Sequence, residues 1–377
     1  MKPKHNGRPT FCQVDVGAVR WNFRQARKKT GPRVKTLSVI KANAYGHGAT
    51  AVARFLEEEG SDAFGVATVE EGMEIRHAGI RAPVVVLAGI YAGELEEVAQ
   101  HHLTPVIGNL EMLHEIETAA VRHGYTLNFH LKVDTGMGRI GLLASQIESW
   151  LPQLRALKAL RFEGVLSHFS QAESVNGEHT KKQLELFLNV IERLENTGCR
   201  PPLAHMANSA AVITLPASHL SMVRPGLMLY GLYPSPHMTA DVELRPVLSW
   251  KTRILQVKRV PRGSRISYGG TFVAERESVI ATLPVGYADG YNRLLSNRGE
   301  VLIHERRAPV VGMVCMDLTL IDVTAIANVK QGDEVVLVGK QGGQAISAGE
   351  MAAWANTIPY EILTSIGARV PRYYEDL

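Results

Sequence analysis

Cysteine is nearly absent from this chain: there are three in 377 residues, at positions 12, 199 and 315, and none forms a C-x-x-C pair. An odd, sparse set with no regular spacing excludes a disulfide scaffold and fits a reducing compartment. No apolar run approaches the length that crosses a bilayer. The opening "MKPKHNGRPTFCQVDV" carries basic residues with no apolar core behind them, so no signal peptide is expected and a cytoplasmic protein is. Charge of a single sign is lacking too. The 41 basic and 37 acidic residues are interspersed and leave a formal net charge of +4, which gives no footprint for nucleic acid or a membrane surface. Fourteen histidines include no H-E-x-x-H and no closely spaced Cys/His set, so no metal site is expected.

What the chain has is alternation. From about residue 35 to 231, eight β-branched runs are separated by amphipathic stretches: "KTLSVIK", "DAFGVA", "PVVVLAG", "LTPVIGN", "LNFHLKVD", "LRFEGVLSHF", "PLAHMANS" and "SMVRPGLMLYG". The intervening stretches carry helix punctuation. "TVEEGMEIRHAG" opens with Thr68 and Glu71 spaced as a capping box and closes on Gly79, and "GEHTKKQLELFLNVIERLENTG" ends in Gly198. Eight β–α units in some 200 residues predict a (β/α)8 barrel of the TIM type rather than an open sheet. After Pro234 the texture changes to strand-like runs without helices between them, apart from "SAGEMAAWANTI". The expected organisation is an N-terminal barrel over 1–240, whose first dozen residues could pack on the other domain, and a mainly β domain over 241–377.

Barrel active sites are built at the carboxyl ends of the strands. Lys41 ends the first run, "DTGMGR" follows the fifth, Ser167 and His168 end the sixth, Asn208 and Ser209 the seventh, and Arg224 sits in the eighth. A lysine placed where an apolar strand ends must be paired or give up its charge. A lysine with a depressed pKa is the residue for imine chemistry, and serine, glycine and arginine donors suit a phosphate. Pyridoxal 5′-phosphate is the cofactor that combines the two.

The segments "SVIKANAYGHG", "KVDTGMGRIG", "HMANSAA", "RPGLMLYG", "ISYGGTF", "VGYADG", "VGMVCMD" and "IPYEILTSIGARVPR" together resemble the alanine racemases over nearly the whole chain. The resemblance implies a pyridoxal-phosphate isomerase that interconverts L- and D-alanine, either supplying D-alanine for peptidoglycan or serving its catabolism. It implies that Lys41 forms the imine with the cofactor and acts on one face of the substrate Cα, while Tyr268 acts on the other. In the family that tyrosine reaches into a partner's barrel, so a homodimer with shared active sites is implied. Arg224 becomes the partner of the pyridine nitrogen. An arginine cannot release its proton, so it leaves that nitrogen largely unprotonated and weakens the electron sink, which favours reprotonation at Cα over transamination.

By the same resemblance Tyr45, His168, Asn208, Ser209, Gly226, Leu227 and Tyr360 bind the cofactor, and Arg139, Met316 and Asp317 serve the substrate side. Tyr287 lines the entrance, and Lys132 is the position that some members carbamylate. Two other classes of function compete for the same residues. "GMGRIG" is formally a dinucleotide fingerprint, yet Glu163 stands near the start of the next run, which ends in Ser167 and His168 instead of the required acidic residue. A cofactor carrier without racemase activity would lack the β domain, Tyr268 and "VCMD".

Overall fold

The computed structural model describes residues 7–174, 177–235, 237–238 and 241–376. Strand β1, Phe11–Asp15, comes first. The barrel follows as β2 Lys35–Val39, β3 Ala63–Val66, β4 Val84–Val86, β5 Leu103–Ile107, β6 Leu127–Asp134, β7 Leu142–Leu143, β8 Leu160–Leu166, β9 Leu203–His205 and β10 Met222–Val223. The hydrogen-bonded order β5-β4-β3-β2-β10-β9-β8-β6, with β5 also paired to β6, closes eight parallel strands into the expected barrel. The short β7 hangs on the end of β6. Strands such as β3 and β4 are buried along their whole length, as parallel strands covered on both faces must be.

The two helices read from punctuation form over Val69–His77 and Glu178–Asn196, and Gly79 and Gly198 follow them with positive φ. The capping box is only half made. Thr68 accepts the N–H of Glu71, but the Glu71 carboxylate does not return to Thr68; it accepts the N–H groups of Ala67 and of Ala42, each at 2.6 Å. The eighth run contributes only Met222–Val223 as strand; past Arg224 and Pro225 the chain turns into a short 3-10 helix, Leu227–Tyr230.

The remaining strands are β11 Leu248–Arg253, β12 Gln256–Val260, β13 Arg265–Ile266, β14 Phe272–Val273, β15 Ser278–Leu283, β16 Glu300–Ile303, β17 Arg306–Pro309, β18 Thr319–Asp322, β19 Glu334–Gln341, β20 Gln344–Ile346 and β21 Arg372–Glu375. One sheet runs β17-β16-β19-β11-β1-β21, a second β12-β15-β18, and β13 pairs with β14. Helix Ala348–Trp354 carries Ser347 as its N-cap, and a second helix, Pro359–Thr364, lies in a stretch the sequence patterning did not mark as helical.

The chain divides into two compact units: residues 18–44 with 49–245, and residues 7–17 with 45–48 and 246–376. The membership of 45–48 has a local cause. Arg372 donates to the carbonyl of Gly46 at 3.0 Å, Tyr374 donates to that of His47, and a Cβ on Gly46 would collide with the carbonyl of Leu363. Among the described residues no helix is long and apolar enough to cross a membrane, and no cluster of three metal-ligating side chains occurs.

Candidate active site

The backbone that carries Lys41 is pinned from three sides. Val39 donates to the carbonyl of Pro225, Ile40 donates to that of Gly65, and the buried Tyr230 hydroxyl donates to the carbonyl of Val39. Strand β2 stops at Val39, two residues short of Lys41. Four consecutive non-glycine residues, Ala42 to Tyr45, then take positive φ, from 51° to 54°. A left-handed turn of L-residues costs about 1–2 kcal/mol per residue, so it persists only where its surroundings over-determine it. Here Glu71 takes the Ala42 N–H, Ala44 donates to Ile40, and the Asn43 side chain accepts the N–H of Ala49. The turn leaves Lys41 half-buried just past the strand end.

Burial, and then the charge of Arg139, lower the Lys41 pKa below that of an ordinary lysine, with Glu71 pulling the other way. Lys132, on β6, is pushed further: burial first, then Arg224 and Arg139, hold its amine well below the ordinary value against the opposing pull of Asp134. His168 is kept neutral by burial and by the charges of Arg224, Lys132, Arg139 and Lys41. These mutual effects gather Lys41, Lys132, Arg139, His168 and Arg224 at one mouth.

Arg224 is buried and makes five hydrogen bonds. It donates to the carbonyls of Ser167, His205 and Met206, to Nδ1 of His205 at 2.8 Å, and to Nδ1 of His168 at 3.2 Å. Burial, with Arg139, brings its pKa down to about 9, which still leaves it charged at neutral pH. Beside it, Asn208 caps helix Ser209–Thr214 through the N–H of Ala211, and the Ser209 hydroxyl accepts the N–H groups of Gly226 and Met228. Leu227 opens the 3-10 helix that starts there. The Ser209 hydroxyl, whose oxygen accepts those amides and whose proton is left to donate, forms with the surrounding cations a donor set suited to an anion. A phosphorylated carbonyl cofactor fits it: the amine of depressed pKa matches the aldehyde and the donors match the phosphate.

The glycine loop settles the dinucleotide rival. The Asp134 carboxylate accepts the N–H groups of Gly136, Met137 and Gly138 at 2.8–2.9 Å. Burial alone would raise its pKa, but those three bonds and the charge of Lys132 hold it lowered. The amides that a pyrophosphate would need are therefore spent on the chain's own aspartate, and the loop leaves Arg139 exposed.

The other expected residues lie in the second unit. The rings of Tyr45 and Tyr360 are 5.9 Å apart, and burial, with Tyr360, raises the Tyr45 pKa. Tyr268 is 72% exposed on a turn in which Gly269 and Gly270 both have positive φ; the Ser267 hydroxyl anchors it by donating to the carbonyl of Met313. Tyr287 and Ala288 donate to the carbonyls of Cys315 and Met316, which ties the "VGYADG" turn to "VCMD". Met316 is exposed, while the Asp317 carboxylate is engaged by Arg369, which also binds the buried Asp289.

Sequence reasoning missed Glu71, whose spacing suggested only a cap, and the buried pair His130 and His205. A polar residue inside an otherwise apolar strand, as in "LNFHLKVD" and "PLAHMANS", was the available signal.

Comparison with known proteins covers nearly the whole chain. Residues 14–234 match the model described as alanine racemase, N-terminal domain, and residues 247–374 match alanine racemase, C-terminal domain. The chain is 44% identical over 369 residues to the alanine racemase of Halothermothrix orenii, covering 98% of this chain and 97% of that one. The alanine racemase of Bacillus anthracis with bound L-Ala-P superposes with a TM-score of 0.93 at 35% identity, covering 98% and 95% of the two chains. That of Bartonella henselae with covalently bound pyridoxal phosphate gives 0.86 at 28% identity, covering 97% and 99%.

Proposed function

Because the chain belongs to the alanine racemase family, we propose that it interconverts L- and D-alanine, with pyridoxal 5′-phosphate held at the mouth of the barrel. The cofactor, when bound, supplies the electron sink that acidifies the substrate Cα–H. The observation that carries this reading is Lys41: an amine of lowered pKa, projected by a strained turn beside Arg139. Such an amine is nucleophilic at neutral pH and, once free, serves as a base of useful strength.

Arg224 would hold the ring nitrogen, Ser209, Asn208, Gly226 and Leu227 would hold the phosphate, and His168 would serve the ring. Tyr45 and Tyr360, whose rings lie 5.9 Å apart, are the phosphate-side tyrosines that the family resemblance implies. Arg139 orients the substrate carboxylate. Tyr268, of a second copy of the chain, bears the proton for the opposite face of Cα, with Met316 and Asp317 closing the substrate side and Tyr287 at the entrance. The high exposure of Tyr268 supports this division, since a residue that serves a partner's site must project from its own fold. Lys132, whose pKa burial, Arg224 and Arg139 lower well below that of an ordinary lysine, attacks CO2 through its free-amine form to give a carbamate and a proton, and the resulting anion braces Arg139. The three free thiols support a cytoplasmic setting.

The decisive experiment is incubation of the cofactor-loaded protein with L-alanine in deuterated buffer, with chiral analysis and borohydride mapping. D-alanine deuterated at Cα and a reduced adduct on Lys41 are expected. An unlabelled product, no D-isomer, or an adduct on another lysine would sink the assignment.

A further inference from the structure

Arg224 poses an electrostatic problem. It is a buried cation, and among the described residues no carboxylate lies within ion-pair distance of it. An uncompensated buried charge is strongly destabilising, so its compensation has to come from further away. The hydrogen bonds show the route. Nδ1 of His205 faces Arg224 at 2.8 Å, Nε2 of His205 faces Nδ1 of His130 at 2.9 Å, and Nε2 of His130 faces the Glu163 carboxylate at 3.3 Å. The other oxygen of Glu163 accepts from the Asn128 side chain at 3.0 Å.

The direction of every proton in this row follows from one fact, that guanidinium only donates. Nδ1 of His205 must accept, so its proton sits on Nε2 and is donated to Nδ1 of His130. The His130 proton therefore sits on Nε2 and is donated to Glu163. Both imidazoles are neutral in this scheme. Burial, then Arg224, His130 and Lys132, keep His205 well below its ordinary pKa, in agreement.

The barrel wall is modified to admit the row. Between β6 and β8 the register slips at Phe129/His130: Phe129 faces Phe162, His130 faces Gly164, and Glu163 is left without a partner as the bulged residue. A bulge re-aims a side chain that regular alternation would send to the other face. At Gly164 a Cβ would lie 2.8 Å from the His130 ring, so only glycine leaves the imidazole its place.

We propose that Glu163 is the remote counter-charge of Arg224, its influence passed through His130 and His205, and that it is a positioning residue for the reaction. The Glu163 anion strengthens the accepting power of His205 Nδ1, which fixes the guanidinium plane and keeps it protonated toward the cofactor. This rests on the reading of Arg224 as the partner of the ring nitrogen. The physics is that of carboxylates that set the tautomer and basicity of a functional histidine, here extended by a second ring.

The test uses four variants and three readouts. In the cofactor-free protein, nitrogen NMR of 15N-histidine should show bare Nδ1 and protonated Nε2 at both His130 and His205, assigned by the signals lost in His130→Asn and His205→Asn. Glu163→Gln keeps an acceptor oxygen but removes the charge. It should keep those tautomers, fall roughly tenfold in kcat/KM with KM unchanged, and shift the pH titration of the bound cofactor's absorbance. Glu163→Ala should give mixed tautomers at His130. Protonated Nδ1 at His205 in the wild type, or Glu163→Gln matching wild type in both kcat/KM and titration, overturns the proposal. If the wild type makes no D-alanine, the racemase reading fails by itself while the tautomer measurement still decides the row.

Discussion

The carboxylate of Glu71 accepts the backbone N–H of Ala42 at 2.6 Å, one residue beyond Lys41. Its second oxygen holds the N–H of Ala67, so one side chain staples the strained turn to the end of β3. Local spacing offered Glu71 a simpler partner in Thr68, and the strained turn took it instead.

Glu71→Ala should therefore loosen the lysine as well as the fold. Two amides lose a charge-assisted partner, at a cost of about 2 kcal/mol, and the left-handed residues lose a restraint. The expected outcome is a lower melting temperature together with slower imine formation between Lys41 and an added aldehyde, with Glu71→Gln lying between. A variant that melts earlier but whose lysine reacts at the wild-type rate would confine Glu71 to stability.

Tyr268→Phe should block proton exchange on one face of Cα while leaving cofactor affinity near that of wild type. Refolding a mixture of Lys41→Ala and Tyr268→Phe chains should then restore activity that neither has alone, because a mixed dimer holds one intact site. Silence from the mixture, in the presence of demonstrated mixed dimers, would place both groups in one chain's site.

Lys132 should carry CO2. The lowered pKa raises the share of free amine, the form that can attack CO2, and Arg139 and Arg224 favour the anion formed. Adding 13C-bicarbonate should produce a carbamate carbon signal that disappears in Lys132→Met. No such signal in the wild type would leave the amine as a buried neutral lysine.

Acid should destabilise the cofactor-free protein through His205. Its folded pKa is lowered, so below pH 6.5 the unfolded chain binds a proton that the native state refuses, and stability falls as pH falls. The slope approaches ~1.4 kcal/mol per pH unit for this one group and vanishes above pH 6.5. Urea melts at a series of pH values, compared with His205→Asn, measure it. Equal slopes in both proteins would show that His205 does not contribute.

The sequence by itself determined the barrel, because period-2 and period-3.6 patterns and helix caps are local signals that each element carries in its own residues. The eight runs, the helix ends at Gly79 and Gly198, and the identity of Lys41 and Arg224 as polar residues where apolar strands stop all belong to that class. Tertiary structure decided whatever depends on which distant group wins a hydrogen bond. Glu71 left its cap for Ala42 beyond the neighbouring strand, the loop amides of Gly136 to Gly138 turned to Asp134, and a bulge beside Gly164 brought Glu163 to His130. A buried donor or acceptor must find a partner, and the chain alone does not say which of several equally suitable groups the fold will bring within 3 Å.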